Sequence, residues 1–91
     1  MDEIVQEPVA VRVVSGTPAR VVWRGRDYTV VGRPVRWIDR VPWWTWTAER
    51  LPRIVEQPMW TVSLAAPGGD VVEADLSVTE GDWWQVERVR A

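Results

Sequence analysis

Apolar residues in this chain tend to recur at every second position, and most of them are branched at Cβ. Eighteen valines stand against three leucines and three isoleucines, a bias that suits pleated strands better than helices. Proline or glycine interrupts the chain too often for a helix of three turns, so the pattern predicts an all-β domain. Val9, Val11 and Val13 alternate with Ala10 and Arg12 as a first strand, turned by Ser15-Gly16-Thr17-Pro18. Residues 1–8 are expected as a flexible acidic N-terminus, leaving 9–91 as a single β domain.

The next two strands form a hairpin. With Gly25-Arg26 as a two-residue turn, Arg24 faces Asp27, Trp23 faces Tyr28, Val22 faces Thr29 and Val21 faces Val30. Trp23, Tyr28, Val21 and Val30 then point inward, while Arg24, Asp27 and Arg20 lie on the other side. A bent strand follows through Val35 to Ile38, after Gly32 and Pro34 interrupt the ladder. Pro42, Pro52 and Pro58 fence an irregular stretch, 42–58, which allows at most one helical turn near 47–51, with Thr47 as its N-cap.

A meander closes the chain. Trp60, Val62 and Leu64 alternate, Pro67-Gly68-Gly69 turns, and Val72, Ala74 and Leu76 continue one face. A turn at Thr79-Glu80-Gly81 sets Leu76 opposite Trp84 and Ala74 opposite Val86, with Trp84 inward and Trp83 outward. That register matches Glu73 with Glu87 and Val72 with Arg88, so a bulge is expected near Glu87 that returns Val89 to the core. About six strands in so short a chain suggest a strongly bent antiparallel sheet or a small SH3-like barrel.

Composition sharpens this picture. Eight tryptophans accompany one tyrosine and no phenylalanine in 91 residues, so indoles must supply much of the large apolar volume. Trp23, Trp60 and Trp84 are read as core by alternation, and Trp37 with them. Trp43, Trp44 and Trp46 cannot all face one way, so at least one reaches the surface, where with Trp83 it forms an aromatic patch.

Charge is unevenly laid out. The chain carries −2 in total, but residues 20–53 hold eight arginines against three acids, while the stretch after 53 has seven acids against two arginines. The basic and acidic zones either meet a charged partner or satisfy each other across the fold. Lysine and asparagine are absent along with phenylalanine, a signature of high-GC coding, so arginine in place of lysine carries less weight than it otherwise would.

Candidate chemistry is narrow. Histidine, cysteine and lysine are missing, which removes the usual general base, the thiolate nucleophile and the Schiff-base amine. Ser15, Ser63 and Ser77 have no base to activate them, and no enzyme activity or cofactor is expected. Asp70, Glu73 and Asp75 are read as solvated carboxylates on an exposed strand face rather than as metal ligands. With no cysteine, no signal-like start and no membrane-length apolar run, the chain reads as a soluble cytoplasmic protein.

What remains is a contact surface. Arg24, Arg26, Arg36, Arg40, Trp43, Trp44, Trp46, Arg50, Arg53 and Trp83 combine flat rings with planar cations. Such a set stacks on bases and neutralises phosphates in single-stranded nucleic acid, or anchors a protein partner. A non-enzymatic adaptor using the segment from Arg24 to Arg53 is the leading expectation. The alternative is a structural or oligomerising module without a ligand.

Trp23-Arg24-Gly25-Arg26-Asp27-Tyr28, preceded by Glu7-Pro8-Val9 and followed by Trp37 and Trp43-Trp44, resembles a small Trp- and Arg-rich domain family of unknown function found in high-GC actinobacteria. Met59-Trp60-Thr61-Val62, Asp75-Leu76, Trp84 and Val89 resemble its C-terminal half, so the likeness spans nearly the whole chain. Members of that family are often encoded near Y-family translesion DNA polymerases. The resemblance thus implies a DNA-damage context, and it supplies no catalytic residue. Val22 stands where relatives tend to carry another large apolar residue.

Overall fold

The computed structural model describes residues 2–44, 52–79 and 83–90. Six strands follow one another: β1 (Asp2–Val14), β2 (Thr17–Trp23), β3 (Arg26–Trp44), β4 (Pro52–Ala65), β5 (Val71–Thr79) and β6 (Trp83–Arg90). Each pairs antiparallel with the next, and β6 returns to β1, so the sheet closes into a six-stranded barrel. The all-β small barrel expected from alternation and turn spacing is therefore the observed architecture. The single helical turn expected near 47–51 and the turn glycine Gly81 lie outside the described residues.

The turns set the registers. Trp23 pairs with Arg26, leaving Arg24 and Gly25 as the two central residues, both at positive φ (52° and 73°). Positive φ at both positions defines the type I′ turn, whose twist matches that of the flanking strands. The hairpin thus lies one residue earlier than the Gly25-Arg26 turn predicted, and Val21 rather than Trp23 faces Tyr28. The partners slide by two positions, so every side chain keeps its face. Trp23 and Tyr28 still meet diagonally, with ring centroids 6.1 Å apart. Ser15-Gly16 makes the same kind of turn, so Thr17 and Pro18 belong to β2 instead of to a loop.

The core is the inner column of each strand. Val21, Trp23, Val62, Leu64, Ala74, Leu76 and Val86 are buried in one cluster. Val5, Val9, Val11, Tyr28, Val30, Trp60, Val72, Trp84 and Val89 pack against it. Val13 is an exception: the β1–β2 register shifts after Arg12, and Val13 is 45% exposed. At the last hairpin Leu76 faces Val86 and Val78 faces Trp84, again two positions from the predicted partners with the faces kept. Asp75 then faces Arg88 and Ala74 faces Val89, so Glu87 is the extra residue of a bulge and Val89 is back on the core side, as the sequence required.

Strand also takes in residues expected as a flexible N-terminus and as an irregular stretch. Residues 2–8 form the first half of β1 and pair with β6, so the barrel begins at Asp2 rather than Val9. Val5 explains why, since it packs on the core. In the same way residues 42–44 and 52–58 continue β3 and β4, which pair without interruption from Val35↔Thr61 to Trp44↔Pro52. Gly32, Arg33 and Pro34 bulge from the ladder, as foreseen, but β3 runs on through them.

The prolines of this segment fit because of parity. Facing pairs in an antiparallel ladder alternate between those that exchange backbone hydrogen bonds and those that do not. Pro42↔Ile54, Trp44↔Pro52 and Ile38↔Pro58 are all even-numbered pairs and hence of one kind. Proline has no N–H to give, so that kind is the non-bonded one. Odd-numbered pairs such as Trp37↔Met59 and Asp39↔Gln57 carry the ladder, and even-numbered residues turn their N–H and C=O groups to the outside. One consequence is visible at Pro58, which cannot bond across to β5. The Gln57 side-chain amide takes its place and donates to the Val78 carbonyl at 2.5 Å.

Candidate binding ribbon

β5 pairs with β4 only from Met59 onward, and β2 pairs with β3 only up to Thr29. The seven residues Ile38–Trp44 and the seven facing them, Pro52–Pro58, therefore form a two-stranded ribbon beyond the barrel wall. At about 3.3 Å per residue it extends roughly 20 Å, in keeping with a molecule measuring 52 × 31 × 22 Å. Among the described residues no strand covers either edge of it.

The predicted surface residues separate into two groups. Arg36, Arg40, Trp43, Trp44 and Arg53 lie on the ribbon or at its root, with Trp43 facing Arg53 in register. Trp83 starts β6 at the same end of the barrel and is 69% exposed. Arg24 lies in the β2–β3 turn and Arg26 just after it, at the opposite end, Arg26 being ten residues back along β3 from Arg36. They cannot share one contact surface with the ribbon. Trp46 and Arg50 lie outside the described residues.

Arg24 is also taken. Its Nε and Nη2 donate to the two carboxylate oxygens of Glu7 at 2.9 and 2.5 Å, and its guanidinium lies 4.5 Å from the centre of the Trp23 ring. The Trp23 indole N–H donates to the same carboxylate at 3.2 Å. Chiefly through the Arg24 hydrogen bond, with the Trp23 bond and the nearby positive charge adding to it, the Glu7 pKa is held below its ordinary 4.5 despite partial desolvation. The Arg24 pKa is raised in turn, first by the Glu7 bond. This forked pair clamps β1 to the β2–β3 turn. Alternation alone does not reveal it, because Glu7 and Arg24 meet only once β1 is known to extend past Val9.

The tryptophan forecasts divide similarly. Trp23 is buried, and Trp60 and Trp84 are half-buried against the core. Trp37 is not core. It faces Met59 on the outer side of the wall, and its indole N–H donates to Thr61 Oγ1 at 2.9 Å. Thr61 donates to Asp75 at 2.7 Å, and Arg90 bridges Asp75 and Glu73 at 2.7 Å each. This chain of polar contacts ties four strands together across the outside of the barrel. Asp75 is consequently 3% exposed instead of solvated, with two donors satisfying its carboxylate.

Arg36 and Arg40 are only loosely engaged. Arg36 is exposed, and Arg40 meets Glu56, its facing residue, only at 3.8 Å, with both side chains well exposed (73% and 65%). Such a pair is weak and easily exchanged for a better partner. Val35 and Ile38, 55% and 45% exposed, stand beside these arginines. Among the described residues no helix is long and apolar enough to cross a membrane. Comparison with protein-family models, with curated proteins and with solved structures finds no match.

Proposed function

We propose that this protein is a non-enzymatic cytoplasmic adaptor that binds another protein through the β3–β4 ribbon, with the barrel as a rigid mount. The observation that carries this reading is the ribbon itself. It projects from the wall with neither edge covered among the described residues, and with the exposed Arg36, Ile38 and Arg40 in one column. An exposed column beside an open strand edge is suited to burying surface against another protein. The resemblance to actinobacterial domains encoded near translesion polymerases suggests DNA damage as the setting.

A second reading, contact with single-stranded nucleic acid, draws support from the tryptophans and arginines interleaved along the ribbon. Overall charge of −2 and the engagement of Arg24 with Glu7 favour protein. Selection from a displayed random-peptide library, beside a fluorescence titration with a mixed-sequence single-stranded oligonucleotide, tests both. Enriched peptides that lose binding when Arg36→Ala and Arg40→Ala are combined support the adaptor. Oligonucleotide quenching that the same double substitution and added salt abolish transfers the ribbon to nucleic acid. If neither ligand binds at tens of micromolar protein in low salt, the ribbon is not a binding surface.

A further inference from the structure

The parity of the ribbon says how a protein would be held, given the adaptor reading on which this inference rests. Even-numbered residues of β3 present their backbone N–H and C=O groups along the outer edge, while Pro34 in the bulge and Pro42 further along close that edge off at both ends. Between them, from Val35 to Val41, the outward N–H groups belong to Arg36, Ile38 and Arg40. Alternate N–H and C=O groups on an open edge are the template for an added strand. Pro42, Pro52 and Pro58 remove outward N–H groups elsewhere on the ribbon, which blunts those parts of its two edges and leaves this stretch of β3 as the place where pairing can occur.

Side chains supply the specificity. Arg36, Ile38 and Arg40 stand in one column on the sheet, two residues apart, and all three are exposed. Residues directly opposite on a paired strand lie on the same face, and opposite charges there attract. A strand laid along β3 would therefore place acids against Arg36 and Arg40 with an apolar residue between them against Ile38. We propose that the β3 edge from Val35 to Val41 captures an extended, acidic segment of a partner protein, read as acid-x-aliphatic-x-acid. The displaced interaction is slight, since only the long Arg40–Glu56 pair must yield.

A synthetic peptide of about seven residues with that pattern, titrated into the intact protein by tryptophan fluorescence with amide hydrogen exchange in parallel, tests the inference. Binding should slow exchange at Arg36, Ile38 and Arg40 in particular. Ile38→Pro removes the central outward N–H at a parity the ribbon already fills with prolines, so the fold is kept while affinity falls at least about tenfold. Arg36→Glu with Arg40→Glu should reverse the preference toward a peptide with lysines in place of the acids. Absence of binding, equal binding of the acidic and basic peptides, or undiminished binding to Ile38→Pro overturns strand addition. Library peptides that need Arg36 and Arg40 yet ignore Ile38→Pro also overturn it, while leaving the adaptor reading in place.

Discussion

The barrel wall and the β3–β4 ribbon are written in the same valine- and tryptophan-rich alphabet, yet they use it in opposite ways. In the wall, alternation drives Val21, Trp23, Leu64, Leu76 and Val86 into one core, and the outer column is tied down by the contacts from Trp37 through Thr61 and Asp75 to Arg90. From the ribbon's root outward the same alternation continues with no third strand beside it among the described residues, so Val35, Arg36, Ile38 and Arg40 remain exposed. A buried inner column, with the outer column tied down from β3 to β6, makes the wall stable. The lack of a third strand makes the ribbon available, and the cost of a substitution should fall steeply from one region to the other.

The largest effect is expected at Trp23. Trp23→Ala leaves a cavity and removes a donor from Glu7, which should cost about 3–5 kcal/mol, a large share of the stability of so small a domain. Thermal unfolding within a degree or two of the parent would mean that Trp23 is not the centre of this core. Asp75→Ala comes next. It strips the bridge between Thr61 and Arg90 on the outer column and should cost about 2–3 kcal/mol, against under about 1 kcal/mol for Glu73→Ala, whose partnership with Arg90 is more exposed. Equal costs would show that the outer column is no more than surface.

A smaller effect belongs to Gln57, at the root of the ribbon. Gln57→Ala deprives the Val78 carbonyl of its donor beside Pro58 and should cost about 1 kcal/mol by denaturant unfolding. The Glu7 clamp is read from pH. Because its folded-state pKa lies below the ordinary 4.5, its contribution is complete above 4.5 and is lost as pH falls through the lowered folded-state value. The stability difference between the parent and Glu7→Gln should accordingly shrink below pH 4.5 and persist above it. A difference that grows on acidification contradicts the clamp. Least of all should Arg40→Ala matter, within about 0.5 kcal/mol, because its pair with Glu56 is long and exposed.

What could be read in advance follows the same division. Where a face is buried, alternation identifies it, and the errors at both hairpins moved partners by two places without turning a single side chain over. The bulge at Glu87 was legible because like charges and an apolar–arginine mismatch demanded it. The ribbon was not, because proline reads as a breaker until the register is known. The clue lay in the spacing: Pro52 and Pro58 are six residues apart, an even number, which lets both point their missing N–H groups to the same side. Trp37 was misplaced for a related reason, since parity had to be carried through the bulge at Gly32 to Pro34.

The contrast rests on one backbone pattern, and residue-resolved amide hydrogen exchange of the free protein reports it directly. Slow exchange is expected throughout the paired core strands, with alternation along β3 toward the ribbon: Trp37 and Asp39 protected, and Arg36, Ile38 and Arg40 exchanging fast. Uniform protection of all five, or protection of the even-numbered set, would contradict an open β3 edge and with it the ribbon as a surface for partners.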